Sequence, residues 1–221
     1  SASQVSDGEQ DASMDHVLFT SEPPIGWVTL NNPQKRNALS LDVISALEKV
    51  LDQAARDPEL KVLVLQGSGP AFCAGHDLQQ LTGEDKDIHA FREIFSSCAR
   101  MMQTLHHIPQ PVIAKVHGIA TAAGCQLVAA CDLAIAEENT SFATPGVKIG
   151  LFCSTPMTPL IRLIGRRRAM DMLLSGRFVP AQEALSFGLV NRVVPAQDLD
   201  QETASWAQEI GSASRMTLGL G

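Results

Sequence analysis

Apolar and polar positions alternate from Val17 to Leu30 on either side of Glu22-Pro23-Pro24, which predicts two strands joined as a hairpin. After the loop 31–37, Leu41, Ile44, Leu47, Val50, Leu51 and Ala54 recur at helical spacing. Ser40 stands where such a helix would be capped, and Asp57-Pro58 where it would stop. The run 61–66 is short, rich in Val and Leu, and bounded by Gly67-Ser68-Gly69-Pro70, as expected of a strand buried on both faces. A long helical segment, 87–107, carries Ile88, Phe91, Ile94, Phe95, Cys98, Met102 and Leu105 on one side and ends before Pro109 and Pro111.

Beyond that point the pattern becomes strand (112–116), Gly/Ala-rich turn (118–126), helix (127–131) and strand (133–136). A loop over 141–153 precedes helical stretches at 156–175 and 180–187, a strand at 189–194 and a helix at 199–210 that opens on Asp198, Asp200 and Glu202. Such alternation predicts an α/β fold with a parallel sheet and helices packed around it. With 221 residues, one main domain is expected, at 16–198, with no internal repeat. Residues 1–15 read as a disordered acidic tail, neither a signal nor a transit peptide, with Met14 a candidate native start. Residues 199–221 read as the start of a C-terminal helical region that stops at Leu218-Gly219-Leu220-Gly221 with no cap or closing element, and so looks truncated.

Composition narrows the function. A net charge of −7 argues against a nucleic-acid surface, so any anionic ligand must be met by a local basic group. The cysteines (Cys73, Cys98, Cys125, Cys131, Cys153) are odd in number and lie mostly in apolar contexts, without CxxC or paired-His spacing, so a reduced compartment and no metal site are expected. No apolar run reaches the roughly 18 to 20 residues a spanning helix requires, and a soluble protein is expected.

Chemistry concentrates in two segments, 71–78 (Ala71-Phe72-Cys73-Ala74-Gly75-His76-Asp77-Leu78) and 118–126 (Gly118-Ile119-Ala120-Thr121-Ala122-Ala123-Gly124-Cys125-Gln126). Both read as strand-to-helix turns whose small residues leave backbone N–H groups free, which suits a carbonyl oxygen gaining negative charge. Tight helix-to-sheet packing is the other account of either turn taken singly. Gly67-Ser68-Gly69 is no dinucleotide fingerprint, since Pro70 follows, and no nucleophile elbow, Walker loop or zinc motif is present.

At these residues the chain resembles the crotonase, or enoyl-CoA hydratase/isomerase, family. The resemblance rests on Asn31-Asn32-Pro33, Arg36-Asn37-Ala38-Leu39-Ser40, the two turns, Pro111-Val112-Ile113-Ala114, Cys131-Asp132, Phe142-Ala143-Thr144-Pro145, Gly150-Leu151, and 181–189 with Val194-Pro195. It implies a crotonase-type spiral of ββα units with helices packed around the sheets, the C-terminal helical region being incomplete. It also implies an acyl-CoA or enoyl-CoA thioester as ligand, with no permanently bound cofactor, in fatty acid metabolism. The thioester carbonyl would lie in an oxyanion hole formed by the N–H groups of His76 and Ala123. Ala74, Asp77, Leu78 and Gln79 would line the adenine and pantetheine path, and Arg36, with Lys35, and Ala38 would lie near the phosphates and adenine. A homotrimer or a dimer of trimers is implied, in the cytoplasm, or in the mitochondrial matrix of a eukaryote, without nucleic acid or membrane.

The family's hydratases carry glutamates at the places held here by Gln126 and Gly146, and its dienoyl-CoA isomerases an acid at Ser154. None of the three is a carboxylate, so hydration loses both its water-activating group and its proton donor. Gln126 either orients a water or carbonyl or is a satisfied polar residue at a helix start. The His76 side chain either takes part in catalysis or points away. Cys125 and Cys153 read as small buried hydrophobes, Asp132 as a hydrogen-bonded acid at a strand start, His117 and Lys115 as structural, and Arg166-Arg167-Arg168 as a solvated helix face. Two functions follow: an enzyme, lyase or isomerase, using the oxyanion hole with non-carboxylate partners, or a non-catalytic acyl-CoA binder or regulatory subunit.

Overall fold

The computed structural model describes residues 16–81 and 88–221, so the expected tail at 1–15 lies outside the described residues. The hairpin forms as β1 (Val17–Glu22) and β2 (Ile25–Leu30), antiparallel, with the Pro23–Pro24 peptide cis between them. Helix α1 (Leu41–Arg56) starts where Ser40 predicts, the Ser40 hydroxyl accepting from the Val43 N–H. Its apolar positions, from Val43 to Ala54, are all buried.

From β2 onward the large sheet is parallel: β2, β3 (Val62–Gly67), β4 (Val112–Val116), β6 (Leu133–Glu137) and β9 (Arg192–Val194) pair in that order. A second sheet holds β5 (Ile119–Thr121), β7 (Ser141–Ala143) and the two-residue β8 (Val179–Pro180), and Cys73 extends it through a bridge to Ala120. A repeat invisible in the sequence emerges. The chain leaves β3 for Cys73, then short α2 (Leu78–Leu81) and α3 (Ile88–His107); it leaves β4 for β5, then α4 (Ala123–Ala130); and it leaves β6 for β7, then α5 (Ser154–Ile164). Each pass gives one strand or bridge to either sheet and then a helix, which is the ββα spiral.

The main core lies among α1, the large sheet, α3 and α4, around Leu30, Leu47, Leu65, Met101 and Phe142. On the outer face of the large sheet, α8 (Leu199–Gly211) packs Trp206 and Ala207 over Ile25, Val62, Val64, Ile113 and Ile135.

Several sequence expectations shift. The segment 118–126 is not one turn but β5 followed by the first turn of α4. The loop at 141–153 contains β7 and a 3-10 turn, Pro145–Ile149. The helix expected over 156–175 is two, α5 and α6 (Arg166–Ser175), broken at Gly165, whose φ of +79° is outside the helical range. Helix α7 (Ala181–Phe187) is followed by a strand shorter than expected, Arg192–Val194. The chain end is not bare: α9 (Arg215–Leu218) is capped by Ser214, which accepts from the Thr217 N–H. Ile88 and Phe95 are exposed, so the apolar side of α3 is not wholly core. No helix among the described residues is long and apolar enough to cross a membrane.

Candidate active site

The site is built where the two turns meet. A parallel bridge joins Leu39 to His76: the Leu39 N–H donates to the Gly75 carbonyl (2.7 Å) and the Asp77 N–H donates to the Leu39 carbonyl (3.2 Å). In that pattern the residue between the two bonded ones turns its own N–H away from the ladder. The His76 N–H therefore has no backbone partner among the described residues. Ala123 is the first residue of α4, and a helix has no internal partner for its first N–H groups. The dipole of α4 adds partial positive charge at the same end.

The two donors are held close. Gly75 has φ +96°, and a Cβ there would lie 2.9 Å from the Thr121 carbonyl oxygen, 3.0 Å from the Ala122 Cβ and 3.3 Å from the Ala123 nitrogen. Only glycine fits that approach. The Thr121 N–H donates to the Cys73 carbonyl (3.0 Å) and the Thr121 hydroxyl to the Ala74 carbonyl (3.1 Å), clamping turn to turn. Ala122 takes φ +52° and ψ −120°, a conformation that costs a residue with a Cβ about 1–3 kcal/mol. Its N–H is tied to the Ala143 carbonyl at 2.9 Å.

The loop before α1 is fixed to the first turn. Buried Asn37 accepts from the Asn32 N–H (2.8 Å) and donates to the carbonyls of Ser68 (2.9 Å) and Ala71 (2.8 Å), while the Ala74 N–H donates to the Arg36 carbonyl (3.0 Å).

Two openings adjoin at His76. The first, about 390 Å³, is mainly apolar and is lined by His76, Ala123, Gly146 and Ser154, with walls from Leu81, Phe95, Leu151, Phe152 and Pro156. The second, about 260 Å³, is lined by Lys35, Ala38, Ala74, His76, Asp77 and Leu78. Ala74, His76 and Leu78 belong to both. Of the candidate site residues singled out in the sequence, the structure thus brings together Lys35, Ala38, Ala74, His76, Asp77, Leu78, Ala123, Gly146, Cys153 and Ser154. Arg36 is exposed and does not line the cleft; its neighbour Lys35 does, paired with buried Asp77 at 3.0 Å. Gln79 lies on the one-turn helix α2.

Gln126 is buried in α4 and is not among the cavity walls. Its Oε1 has no hydrogen-bond partner among the described residues. Gly146 stands against the cavity, and a Cβ there would lie 2.8 Å from the Cys153 Sγ and 3.1 Å from the Leu151 carbonyl oxygen. Among the described residues no carboxylate lines the apolar cavity. Burial pushes the Cys125 thiol up to about 12 and that of Cys153 above its ordinary value, so neither is an activated nucleophile. Burial likewise lowers the His76 imidazole below its ordinary value. The Leu39 backbone opposes this, although neither ring nitrogen reaches hydrogen-bonding geometry with it.

Outside the site, Asp132 accepts from the Val112 N–H at 2.7 Å, Lys115 pairs with Asp200, and His117 Nε2 lies 2.7 Å from the Gly69 carbonyl oxygen. Arg168 stacks on Phe187, its guanidinium 4.9 Å from the ring centroid. No group of three or more potential metal ligands gathers among the described residues.

Sequence reasoning missed the cavity walls Phe95 and Phe152 and the cation Lys148. Phe95 repeats at helical spacing like a core residue, and nothing in spacing alone distinguishes a helix face turned to a cavity from one turned to the core.

Known proteins agree with this architecture. The enoyl-CoA hydratase/isomerase family model matches residues 20–219. The human mitochondrial enoyl-CoA hydratase domain-containing protein 3 is 48% identical over 195 residues, which are 88% of this chain and 64% of that protein. Its rat counterpart is 46% identical with the same coverage. The chain thus spans 64% of the length of these curated relatives. Among solved structures, an enoyl-CoA hydratase from Mycobacterium smegmatis superposes with a TM-score of 0.90 at 43% identity, covering 93% of this chain and 80% of that one. A monofunctional enoyl-CoA isomerase from the same species superposes with a TM-score of 0.79 at 32% identity, covering 93% and 90%. The match along nearly the whole chain, on the same ββα spiral, makes this protein a member of the enoyl-CoA hydratase/isomerase family.

Proposed function

We propose that the chain binds an acyl-CoA or enoyl-CoA thioester, with its carbonyl oxygen on the N–H groups of His76 and Ala123 and its acyl chain in the apolar cavity. The CoA moiety then follows the cleft past Ala74, Leu78 and Ala38, where Lys35, with Arg36 beside it, supplies positive charge on an acidic protein. No permanently bound cofactor enters this reading. The observation that carries it is the close approach of the His76 turn to the first residue of α4, allowed by Gly75, at the junction of the apolar cavity and the opening that holds Lys35 and Asp77. Two such donors stabilise an enolate oxygen, each to the extent of about 2.7–4 kcal/mol.

Hydration is the weaker side of the chemistry. Gln126 and Gly146 replace both acids that the resemblance places there, and general acid–base help contributes about 10²- to 10⁴-fold. The reading is therefore an enolate-stabilising enzyme, isomerase or lyase in type, with slow hydration. The absence of a carboxylate among the described cavity walls also supports a non-catalytic acyl-CoA binder. Calorimetric titration with butyryl-CoA and crotonyl-CoA, with products followed by mass spectrometry, separates them. Binding with turnover of a thioester is expected; binding without any product supports the binder, and failure to bind any CoA thioester contradicts both.

The mitochondrial designation of the vertebrate relatives supports a mitochondrial location. Exposed Ile149, Leu163, Leu174 and Phe178 support self-association as a trimer or a dimer of trimers.

A further inference from the structure

Charge is unevenly spread along the chain. Residues 139–182 hold six cations, Lys148, Arg162, Arg166, Arg167, Arg168 and Arg177, and one acid, Asp171, whereas the whole chain carries −7. Some of these cations are already engaged. Arg177 pairs with Asp171 and with Glu183, each at 2.7 Å, Arg168 stacks on Phe187 and donates to its carbonyl, and Lys148 lies over Phe178. Arg162, Arg166 and Arg167 are exposed and enter no ion pair or hydrogen bond among the described residues. They gather at the corner where α5 turns into α6 through Gly165. From 162 to 168 every residue except Ile164 is exposed, Leu163 is 44% exposed among the arginines, and a Cβ on Gly165 would meet nothing within 4 Å, so the corner stands clear of the fold. Exposed Leu174 follows Arg167 by two helical turns, on the same face of α6. Arg166 and Arg167 lie in the first turn of α6, where the helix dipole disfavours cations, so their placement weakens the helix unless negative charge comes to meet them.

We propose that this corner docks the protein reversibly on an anionic phospholipid surface, with Arg162, Arg166 and Arg167 on the lipid phosphates and Leu163 at the boundary between headgroups and acyl chains. Its shape suits a surface rather than a small anion: neither opening of the site is lined by it, and a protruding tip has no walls to enclose a ligand. Its composition suits lipid rather than a purely ionic polymer such as RNA, because an apolar side chain among arginines gains from the acyl boundary and nothing from phosphate. The acidic remainder of the chain does not prevent the contact, since at physiological salt the field of an exposed charge fades over about 8 Å. Each arginine brought to such a surface strengthens partition about fivefold, and three together about 100-fold, which makes a reversible association and not a permanent anchor. The contact is peripheral, as no described helix is long and apolar enough to cross a membrane. Such docking does not depend on thioester binding.

The test is co-sedimentation of the protein with vesicles of phosphatidylcholine, alone or with a third of the lipid replaced by phosphatidylglycerol. Wild-type protein should partition at least about tenfold more strongly onto the anionic vesicles at low salt. That excess should vanish at 1 M salt, where the screening length is about 3 Å. The variant combining Arg162→Gln, Arg166→Gln and Arg167→Gln should lose about 100-fold in partition. The variant combining Lys49→Gln, Arg56→Gln and Lys61→Gln, an equal loss of charge elsewhere, should keep most of it. Equal partition of wild-type protein onto neutral and anionic vesicles would overturn the proposal, and this arm needs no variant to fold. Equal losses in the two triple variants would overturn it by making net charge, not the corner, the cause. Binding of an RNA oligonucleotide without binding of vesicles would assign the corner to a different polyanion. Light scattering that shows the arginine variant to have lost the oligomeric state of the wild-type protein would make the corner an interface between copies, and would equally overturn docking on lipid.

Discussion

Gly146 and Cys153 contend for the same space. A Cβ on residue 146 would meet the Cys153 Sγ at 2.8 Å and the Leu151 carbonyl oxygen at 3.1 Å, so the position leaves little room for a side chain. Gly146→Ala should therefore destabilise the protein by about 1–3 kcal/mol in urea denaturation, as overpacking does. Adding Cys153→Ala should recover part of that loss; an additive double variant would contradict the contact. His76 gives a second residue-scale expectation. Its folded value lies below the ordinary 6.5, so as pH falls below about 6.5 the unfolded chain takes up a proton first and stability declines until the folded value is reached. Denaturation at pH 7.5 and 5.5 should show a steeper decline for wild-type protein than for His76→Gln, whereas equal declines would contradict a buried neutral ring. At this scale the two turns were legible from their small residues, whereas His76 and Ala123 as donors and Gly146 as a site position came only from the family resemblance. The surroundings of the His76 ring and the closeness of Cys153 to Gly146 were not, since the first depends on Phe95 of another helix and the second on how the loop after Gly146 folds back on it.

Elements carry the alignment of the two donors. The N-terminus of α4 is presented by the strained Ala122, and the bridge from Leu39 to His76 holds the other donor outward. Gly75→Ala would force a Cβ against the Thr121 carbonyl and the Ala122 Cβ at a positive φ, pushing the turns apart. It is expected to weaken acyl-CoA binding at least tenfold in calorimetry and to lower stability, while unchanged affinity would contradict the two-turn site. Helices were legible wherever their apolar positions repeat over several turns, as in α1, and a capping serine even placed its first residue. β5 and β7 were not, because three residues show no period; they exist through parallel pairing with each other, Ile119 opposite Ser141 and Thr121 opposite Ala143. Gly165 could have been a tolerated helical glycine, and only its positive φ makes it a break between α5 and α6.

Across the whole molecule, the large parallel sheet and the small sheet are wound together by three successive passes, and the site lies where the first two passes meet. The strand–helix alternation made the α/β class legible, whereas the repeat stayed hidden because equivalent positions need only similar backbone paths, not similar side chains. The chain belongs to the enoyl-CoA hydratase/isomerase family along nearly all of its length, and under the proposed reading a thioester lies at that meeting point with the two N–H groups polarising its carbonyl. The most direct measurement is the carbon-13 resonance of butyryl-CoA labelled at C1, free and bound. Donation from His76 and Ala123 should move the bound carbonyl downfield, and Gly75→Ala should reduce or abolish that displacement. A bound thioester that resonates at its free position would contradict the account.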